Sequence, residues 1–149
     1  MPRSGRVTVT KIYEFAYAHR LPSYQGSCAR LHGHTGRLEV EVSGGDAGGT
    51  PYPGIVVDFH DLKRVMAAIV ADLDHAFLND VINDACHADW AARHLPAVRD
   101  EEGRAVYAPT SENMVLWVAH RLETVCPDLR VVRIRWWESP SSYAEWRAS

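Results

Sequence analysis

The sequence of 149 residues predicts an α+β domain, with an antiparallel β-sheet and two helices packed on one face. Segments 7–19, 31–42 and 129–138 alternate apolar and polar side chains with a period of two, as half-buried strands do. Segments that begin at Asp58 and Thr110 instead carry apolar side chains at helical spacing. The order strand, strand, helix, loop, helix, strand is typical of the α+β class.

The first two predicted strands carry histidines on their apolar faces. The apolar face of the first strand follows the odd positions and ends at His19. In the second strand the even positions begin with His32 and His34 and continue with apolar residues. Residues 44–54 are rich in glycine and proline and predict a loop, after which residues 55–57 predict the start of a returning strand.

Capping residues set the predicted helix boundaries. Asp58 is the predicted N-cap of the first helix, with Asp61 in its first turn and an apolar stripe as far as Leu73. The second helix is predicted to open at residues 109–113, with Thr110 as its N-cap, and Pro127 ends it.

Two further segments complete the chain. Residues 79–109 are polar and contain proline and glycine, so we expect a long irregular excursion there. The last predicted strand, 129–138, places Val132, Ile134 and Trp136 on one face, with Glu138 next in the same inward register.

The overall composition argues against several functional classes. The net charge is −3 and no lysine or arginine cluster stands out, so we expect neither nucleic-acid nor membrane binding. No apolar run approaches the length that spans a bilayer, and the first residues lack a signal-peptide core. Three scattered cysteines without a CxxC pair are typical of a reducing compartment, and we expect a cytoplasmic protein.

His19, His32 and His34 predict a metal site. Residues two apart on a strand point the same way, about 7 Å apart at Cα, and a neighbouring strand lies only about 5 Å away. Three imidazoles bind Zn²⁺ and leave a fourth coordination position open, as catalytic zinc sites require. The alternative is three unrelated histidines, one of them a hydrogen-bonded core residue, in a structural protein.

Cys28, Asp74 and His75 are candidate proton-transfer groups. A nearby Zn²⁺ would lower the pKa of the Cys28 thiol and populate the thiolate. The alternative for this cysteine is a small buried apolar residue. Asp74 and His75 follow the first predicted helix, where the helix dipole and the carboxylate favour a protonated imidazole. A solvated polar pair is the alternative.

Glu138, Thr110 and Ser111 are candidate ligand-binding residues. An inward-facing Glu138 needs a partner, and a ligand with two parallel N–H donors would satisfy its carboxylate. The alternative is a strand-end residue in solvent. Thr110 and Ser111 are first of all helix-capping residues, and their hydroxyls or amides can also face a ligand.

Six segments in chain order resemble the 6-pyruvoyl-tetrahydropterin synthase / 6-carboxy-tetrahydropterin synthase family. They are residues 15–21, 28–34, 54–59, 73–79, 109–113 and 137–139. The resemblance implies a single pterin-synthase-like domain, 1–149, with the tunnelling fold, whose sheets join into a barrel-like ring. It also implies homohexamers with active sites where subunits meet. Two features depart from the family, namely Tyr17 in place of a small residue and the long segment 82–108.

Carried over position by position, the resemblance implies a role for each candidate residue. The implied Zn²⁺ ligands are His19, His32 and His34. The implied general base and its acid/base partners are Cys28, Asp74 and His75. The implied anchor for the aminopyrimidine edge of the pterin, and the residues lining its pocket, are Glu138, Thr110 and Ser111.

The gap between Cys28 and His32 favours one branch of the family. Three residues separate them, as in the carboxy branch, whereas the pyruvoyl branch has a longer, Asn-rich gap. The expected reaction converts 7,8-dihydroneopterin triphosphate to 6-carboxy-5,6,7,8-tetrahydropterin, releasing acetaldehyde and triphosphate, on a queuosine or other 7-deazapurine pathway. The alternatives are a 6-pyruvoyl-tetrahydropterin synthase, which eliminates triphosphate without carbon–carbon cleavage, and a non-catalytic zinc- or pterin-binding homologue. The candidates for triphosphate binding are Arg20, Arg30, Arg37 and Lys63.

Overall fold

A computed structural model describes residues 5–44 and 52–149. Its strands are β1 (Thr8–His19), β2 (His32–Ser43), β3 (Ala76–Phe77), β4 (Val98–Arg99), β5 (Ala105–Val106), β6 (Val131–Ser139) and β7 (Ser142–Arg147). Its helices are α1 (Phe59–Leu73), α2 (Leu78–Ile82), α3 (Ala88–His94) and α4 (Ser111–Val125). Most of the predicted 44–54 loop lies outside the described residues.

Five strands form the main sheet, in the order β3-β1-β2-β6-β7. All neighbours pair antiparallel except β1 and β3, which pair in parallel. Strands β4 and β5 form a separate two-stranded hairpin. The predicted α+β class is therefore confirmed. None of the helices in the described residues combines the length and apolarity that crossing a bilayer requires.

Helices α1 and α4 cover one face of the sheet, and the core lies between. The strands contribute the buried residues Phe15, Tyr17, Leu38, Val40, Val42, Ile134 and Trp136. The two helices contribute the buried residues Leu62, Met66, Ile69, Leu73, Met114, Val115, Trp117, Val118 and Leu122. Burial of aliphatic and aromatic surface on this scale is the main stabilising contribution to such a fold.

Both long helices begin at the predicted caps. The Asp58 carboxylate accepts from the backbone N–H of His60 at 2.8 Å. The Thr110 hydroxyl accepts from the backbone N–H of Asn113 at 3.1 Å. Each bond satisfies one of the amides that a helix leaves without an intrahelical partner at its start.

Three predictions of secondary structure are wrong. Residues 55–57 form no strand and instead lead directly into the Asp58 cap of α1. Residues 79–109 are not irregular, since they contain most of α2, all of α3 and the β4–β5 hairpin. Strand β6 is not the last, because residues 139–142 turn the chain back into β7.

Stacked rings join α3 to α4 and provide a prediction of pH dependence. The rings of Trp90 and His120 stack with centroids 4.6 Å apart, and His87 meets Trp117 edge to face at 5.8 Å. Burial lowers the pKa of both His87 and His120. Near and below about pH 6.5 the unfolded chain therefore binds more protons than the folded one. We expect the contribution of these histidines to the free energy of unfolding to be fully present above about pH 6.5 and to be lost as the pH drops below it.

The measurement is the melting temperature from pH 8 to pH 5.5, with wild type and an H87Q/H120Q variant in the same metal-loaded state. The wild type is expected to lose more stability on acidification than the variant. If the melting temperatures of the two proteins fell equally with pH, His87 and His120 would not be the source of the pH dependence.

Candidate metal centre and active site

Strand register brings the three predicted histidines together at one end of the sheet. His19 is paired with His32 across β1 and β2, and Tyr17 is paired with His34. The ring centroids of the three imidazoles lie 4.6 to 5.1 Å apart. One nitrogen from each histidine lies within 4.8 Å of the others, so this group can hold a metal ion. In the part of the chain that the structure describes, it is the one such group of three or more candidate ligands.

Backbone carbonyls orient two of these imidazoles. Nδ1 of His19 lies 2.9 Å from the Pro109 carbonyl oxygen, and Nδ1 of His32 lies 2.7 Å from that of Arg30. A ring that donates from Nδ1 keeps the lone pair of Nε2 free, which is how metal-binding histidines are commonly fixed. Nε2 of His19 and of His34 are buried and have no hydrogen-bond partner.

The donor set fits Zn²⁺. Burial lowers the pKa of both His19 and His34, so both rings are neutral near pH 7. Neutral imidazole is the form that binds a metal. Buried nitrogen atoms without partners are costly, and a metal ion would satisfy those of His19 and His34 together. Three imidazoles also leave a coordination position for a substrate.

Tyr17 packs against two of the three clustered histidines. Its ring centroid lies 5.3 Å from that of His19 and 5.5 Å from that of His34. The Tyr17 hydroxyl accepts from the indole N–H of Trp136 at 3.3 Å, and burial raises the pKa of this phenol. Tyr17, which stands where the family pattern has a small residue, thus packs against the rings of His19 and His34.

Gly36 provides the space for the Tyr17 ring. A Cβ at position 36 would lie 2.7 Å from Cε1 of Tyr17, inside van der Waals contact. We expect Gly36→Ala to destabilise the fold by about 1–3 kcal/mol, because the buried ring must move. The measurement is urea unfolding. Gly5→Ala, where the added carbon meets no atom within 4 Å, is the control. Equal stability of the two variants would contradict the packing account.

Glu138 lies beside the metal centre. Its Oε1 is 3.6 Å from Nε2 of His34, too far for a hydrogen bond, and its Oε2 accepts from the Ser111 hydroxyl at 3.0 Å. A cavity of about 280 Å³ opens here. It is lined by Leu21, Thr110, Ser111, Glu112, Glu138, Ser142, Tyr143 and Ala144. The three residues predicted to bind a ligand therefore line one cavity.

Cys28 lies in a single 3-10 turn, Ser27–Ala29, in the connection between β1 and β2. It is half-buried, and its carbonyl accepts from the backbone N–H of Leu21 at 2.9 Å. Leu21 also lines the cavity beside Glu138. Cys28 is not a member of the histidine group.

Asp74 and His75 lie on the edge of β1 that faces away from β2. Oδ1 of Asp74 accepts from the Ala16 N–H at 3.1 Å and lies 3.0 Å from Nδ1 of His75. The bond from Ala16 and the adjacent imidazole lower the pKa of the Asp74 carboxyl. The His75 side chain is 83% exposed. Within one chain, neither residue joins the histidine group.

Some contacts in the site have no signature in the sequence. The carbonyls of Pro109 and Arg30, which orient His19 and His32, are backbone groups available at any residue. The Ser111–Glu138 bond depends on how α4 lies against β6. The one indication in the sequence is that residues 109–111 open a predicted helix, where capping hydroxyls are expected.

The fold and site define an α+β protein with a group of three histidines that can hold a metal ion, next to a cavity lined by the Glu138 carboxylate. Residues 8–149 match the 6-pyruvoyl tetrahydropterin synthase family. The chain therefore belongs to that family, which confirms the resemblance seen in the sequence.

Individual relatives cover almost the whole chain. It is 31% identical over 140 residues to the 6-carboxy-5,6,7,8-tetrahydropterin synthase of Haemophilus influenzae, covering 93% of this chain and 97% of that one. It is 28% identical to the dihydroneopterin monophosphate aldolase of Pyrococcus furiosus, over 90% of each chain. The solved structure of Caenorhabditis elegans 6-pyruvoyl tetrahydropterin synthase superposes with a TM-score of 0.71 at 22% identity, covering 100% of both chains, and supports the fold.

Proposed function

We propose that this chain is a zinc-dependent 6-carboxy-tetrahydropterin synthase. It would take 7,8-dihydroneopterin triphosphate and water to 6-carboxy-5,6,7,8-tetrahydropterin, acetaldehyde and triphosphate. The observation that carries the proposal is the convergence of three imidazoles, two with buried Nε2 atoms that lack partners, beside the Glu138 cavity. Similarity to a relative named for this activity supports the choice of reaction.

Glu138 would hold the pterin ring. A carboxylate accepts two parallel hydrogen bonds from the amino group and ring N–H of an aminopyrimidine. Ser111 donates to Oε2 of Glu138 and so restrains the orientation of the carboxylate. Thr110 and Ser111 line the same cavity and would contact the ring edge. Nε2 of His34 lies 3.6 Å from Oε1 of Glu138, so the substrate side chain would extend from the bound ring towards the metal ligands.

His19, His32 and His34 would hold Zn²⁺, which supplies Lewis-acid chemistry that acidifies hydroxyl groups of the substrate side chain. The Cys28 thiolate would remove a proton from that side chain, and the Asp74–His75 pair would deliver one. Oδ1 of Asp74 lies 3.0 Å from Nδ1 of His75 and would orient the ring for this transfer.

We further propose that the active form is an oligomer, in the family's barrel-like hexamer, built from single domains spanning 1–149. Asp74 and His75 do not join the histidine group of their own chain. Because His75 is exposed, the pair would be accessible to a site that a neighbouring subunit completes. The proposed setting is the cytoplasm and a queuosine-type 7-deazapurine pathway, without nucleic-acid or membrane partners.

Product identification tests the proposed reaction. The zinc-loaded protein is incubated with 7,8-dihydroneopterin triphosphate and, in parallel, with the monophosphate. We expect acetaldehyde and 6-carboxy-tetrahydropterin in equal amounts from the triphosphate. Formation of pyruvoyl-tetrahydropterin without acetaldehyde would instead assign this chain to the pyruvoyl branch of the family. Metal binding without turnover of either compound would support a binding homologue instead.

A further inference from the structure

The β1–β2 connection, residues 20–31, determines where the Cys28 thiol lies. The backbone N–H of Leu21 donates to the Cys28 carbonyl at 2.9 Å and closes the loop on itself. The Arg30 carbonyl, near the end of the loop, is the partner of Nδ1 of His32 at 2.7 Å. One loop therefore carries the candidate base and orients a candidate metal ligand.

The β4–β5 hairpin contacts this loop through an ion pair and a hydrogen bond. Nη2 of Arg20 lies 2.5 Å from Oε1 of Glu101, and the Ser23 hydroxyl donates to the Arg99 carbonyl. Ser23 has a φ of 64°, a conformation uncommon for residues other than glycine. Asn79 fixes the start of the loop, since its side chain bonds both the N–H and the carbonyl of Arg20, at 3.0 and 2.9 Å.

The hairpin is braced by its own contacts. The Asp100 carboxylate accepts from the backbone N–H groups of Glu102 and Arg104, at 2.9 and 2.8 Å, and from the Arg104 guanidinium at 2.8 Å. Gly103, at a φ of 79°, donates its N–H to the Asp100 carbonyl at 3.0 Å. The turn that carries Glu101 is therefore held by hydrogen bonds within the hairpin itself.

We propose that Glu101 is a positioning residue for Cys28. Its carboxylate holds the Arg20 guanidinium, whose Nε is buried without a hydrogen-bond partner, and the Arg99 carbonyl holds Ser23. Together they fix the 20–31 loop and with it the location of the thiol relative to the metal ligands. The inference rests on the proposed function, in which Cys28 is the base, and gives segment 82–108 a role in catalysis.

Glu101→Gln tests the proposal, because it keeps the size of the side chain and removes its charge. On zinc-loaded protein we expect iodoacetamide to alkylate Cys28 about two- to fivefold faster, the range that loss of a surface ion pair allows. We expect kcat at saturating substrate to fall by a similar factor. KM is not used as a readout, because Glu101→Gln also frees Arg20, a candidate for triphosphate binding. Glu102→Gln is the matched control, because Glu102 pairs with Arg104 at 2.7 Å within the hairpin.

A second variant replaces residues 100–104 with Asn-Gly, the two-residue turn that preserves the Arg99–Ala105 pairing. Alkylation is followed peptide by peptide in one sample, with Cys86 and Cys126 as internal references. Faster alkylation confined to Cys28 in both variants supports the proposal. No change relative to Glu102→Gln, or an equal rise at Cys126, would overturn it. The alkylation assay needs no substrate, so it separates this inference from failure of the proposed reaction.

Discussion

Replacing Cys28 by alanine is expected to lower kcat about 10²- to 10⁴-fold, the contribution typical of a positioned general base. Zinc content should stay at the wild-type level, because Cys28 is outside the histidine group. The fold should also persist, since this half-buried side chain lies in a short 3-10 turn. The measurement is product formation from dihydroneopterin triphosphate at saturating substrate, together with elemental analysis.

The matched control for this variant is Cys86→Ala. Cys86 is an exposed cysteine in the 3-10 turn that precedes α3, and hydrogen bonding to Asp84 raises the pKa of its thiol. The control should retain wild-type turnover and metal content. A Cys28→Ala protein that turns over at the wild-type rate would remove Cys28 from the mechanism.

Replacing His34 by alanine is expected to lower the affinity for zinc by more than about 100-fold. Loss of a residue that only orients a ligand already costs about 10- to 100-fold, and here a ligand itself would be lost. One of three imidazole donors disappears, and Nε2 of His19 stays buried without a partner. Turnover should be lost at zinc concentrations that saturate the wild type. Competition titration with a chromogenic chelator measures the affinity directly.

His60→Ala is the matched control for the ligand variant. His60 is an exposed histidine at the start of α1, and its backbone N–H, which the substitution keeps, bonds the Asp58 cap. Its zinc affinity should equal that of the wild type. An unchanged affinity in His34→Ala, with the fold intact by circular dichroism, would show that His34 is not a ligand.

The sequence predicts the clustering of the three histidines because strands have a rigid period of two. That period puts His19 on the apolar face of β1, and His32 and His34 on that of β2, whatever the details of packing. The pairing of β1 with β2 then needs only one register to bring the rings together, and the observed pairing of His19 with His32 is that register.

The segments that the sequence predicts poorly are short. Helix α3 has seven residues, too few to display an apolar stripe, so its composition resembles that of a loop. Strand β7 has six residues, and its inward positions, Ala144 and Trp146, alternate with Tyr143, Glu145 and Arg147 only over that length. The Ser139-Pro140-Ser141 turn signal before it was the clue to a returning strand.

Contacts between distant segments were beyond sequence reasoning. The pairing of Arg20 with Glu101 spans 81 positions, and the bond between Nδ1 of His19 and the Pro109 carbonyl spans 90. Neither residue pair has a spacing that a helix or strand repeat would reveal. Such contacts follow from tertiary packing, which places the hairpin and the start of α4 against the end of β1.

Anomalous X-ray scattering at the zinc edge tests the central claim most directly, on crystals of protein purified without chelators and supplied with zinc. The account predicts one strong anomalous peak per chain, within zinc–nitrogen bonding distance, about 2.0–2.1 Å, of Nε2 atoms from His19, His32 and His34. No peak at that position, with the three rings turned away from one another, would contradict it.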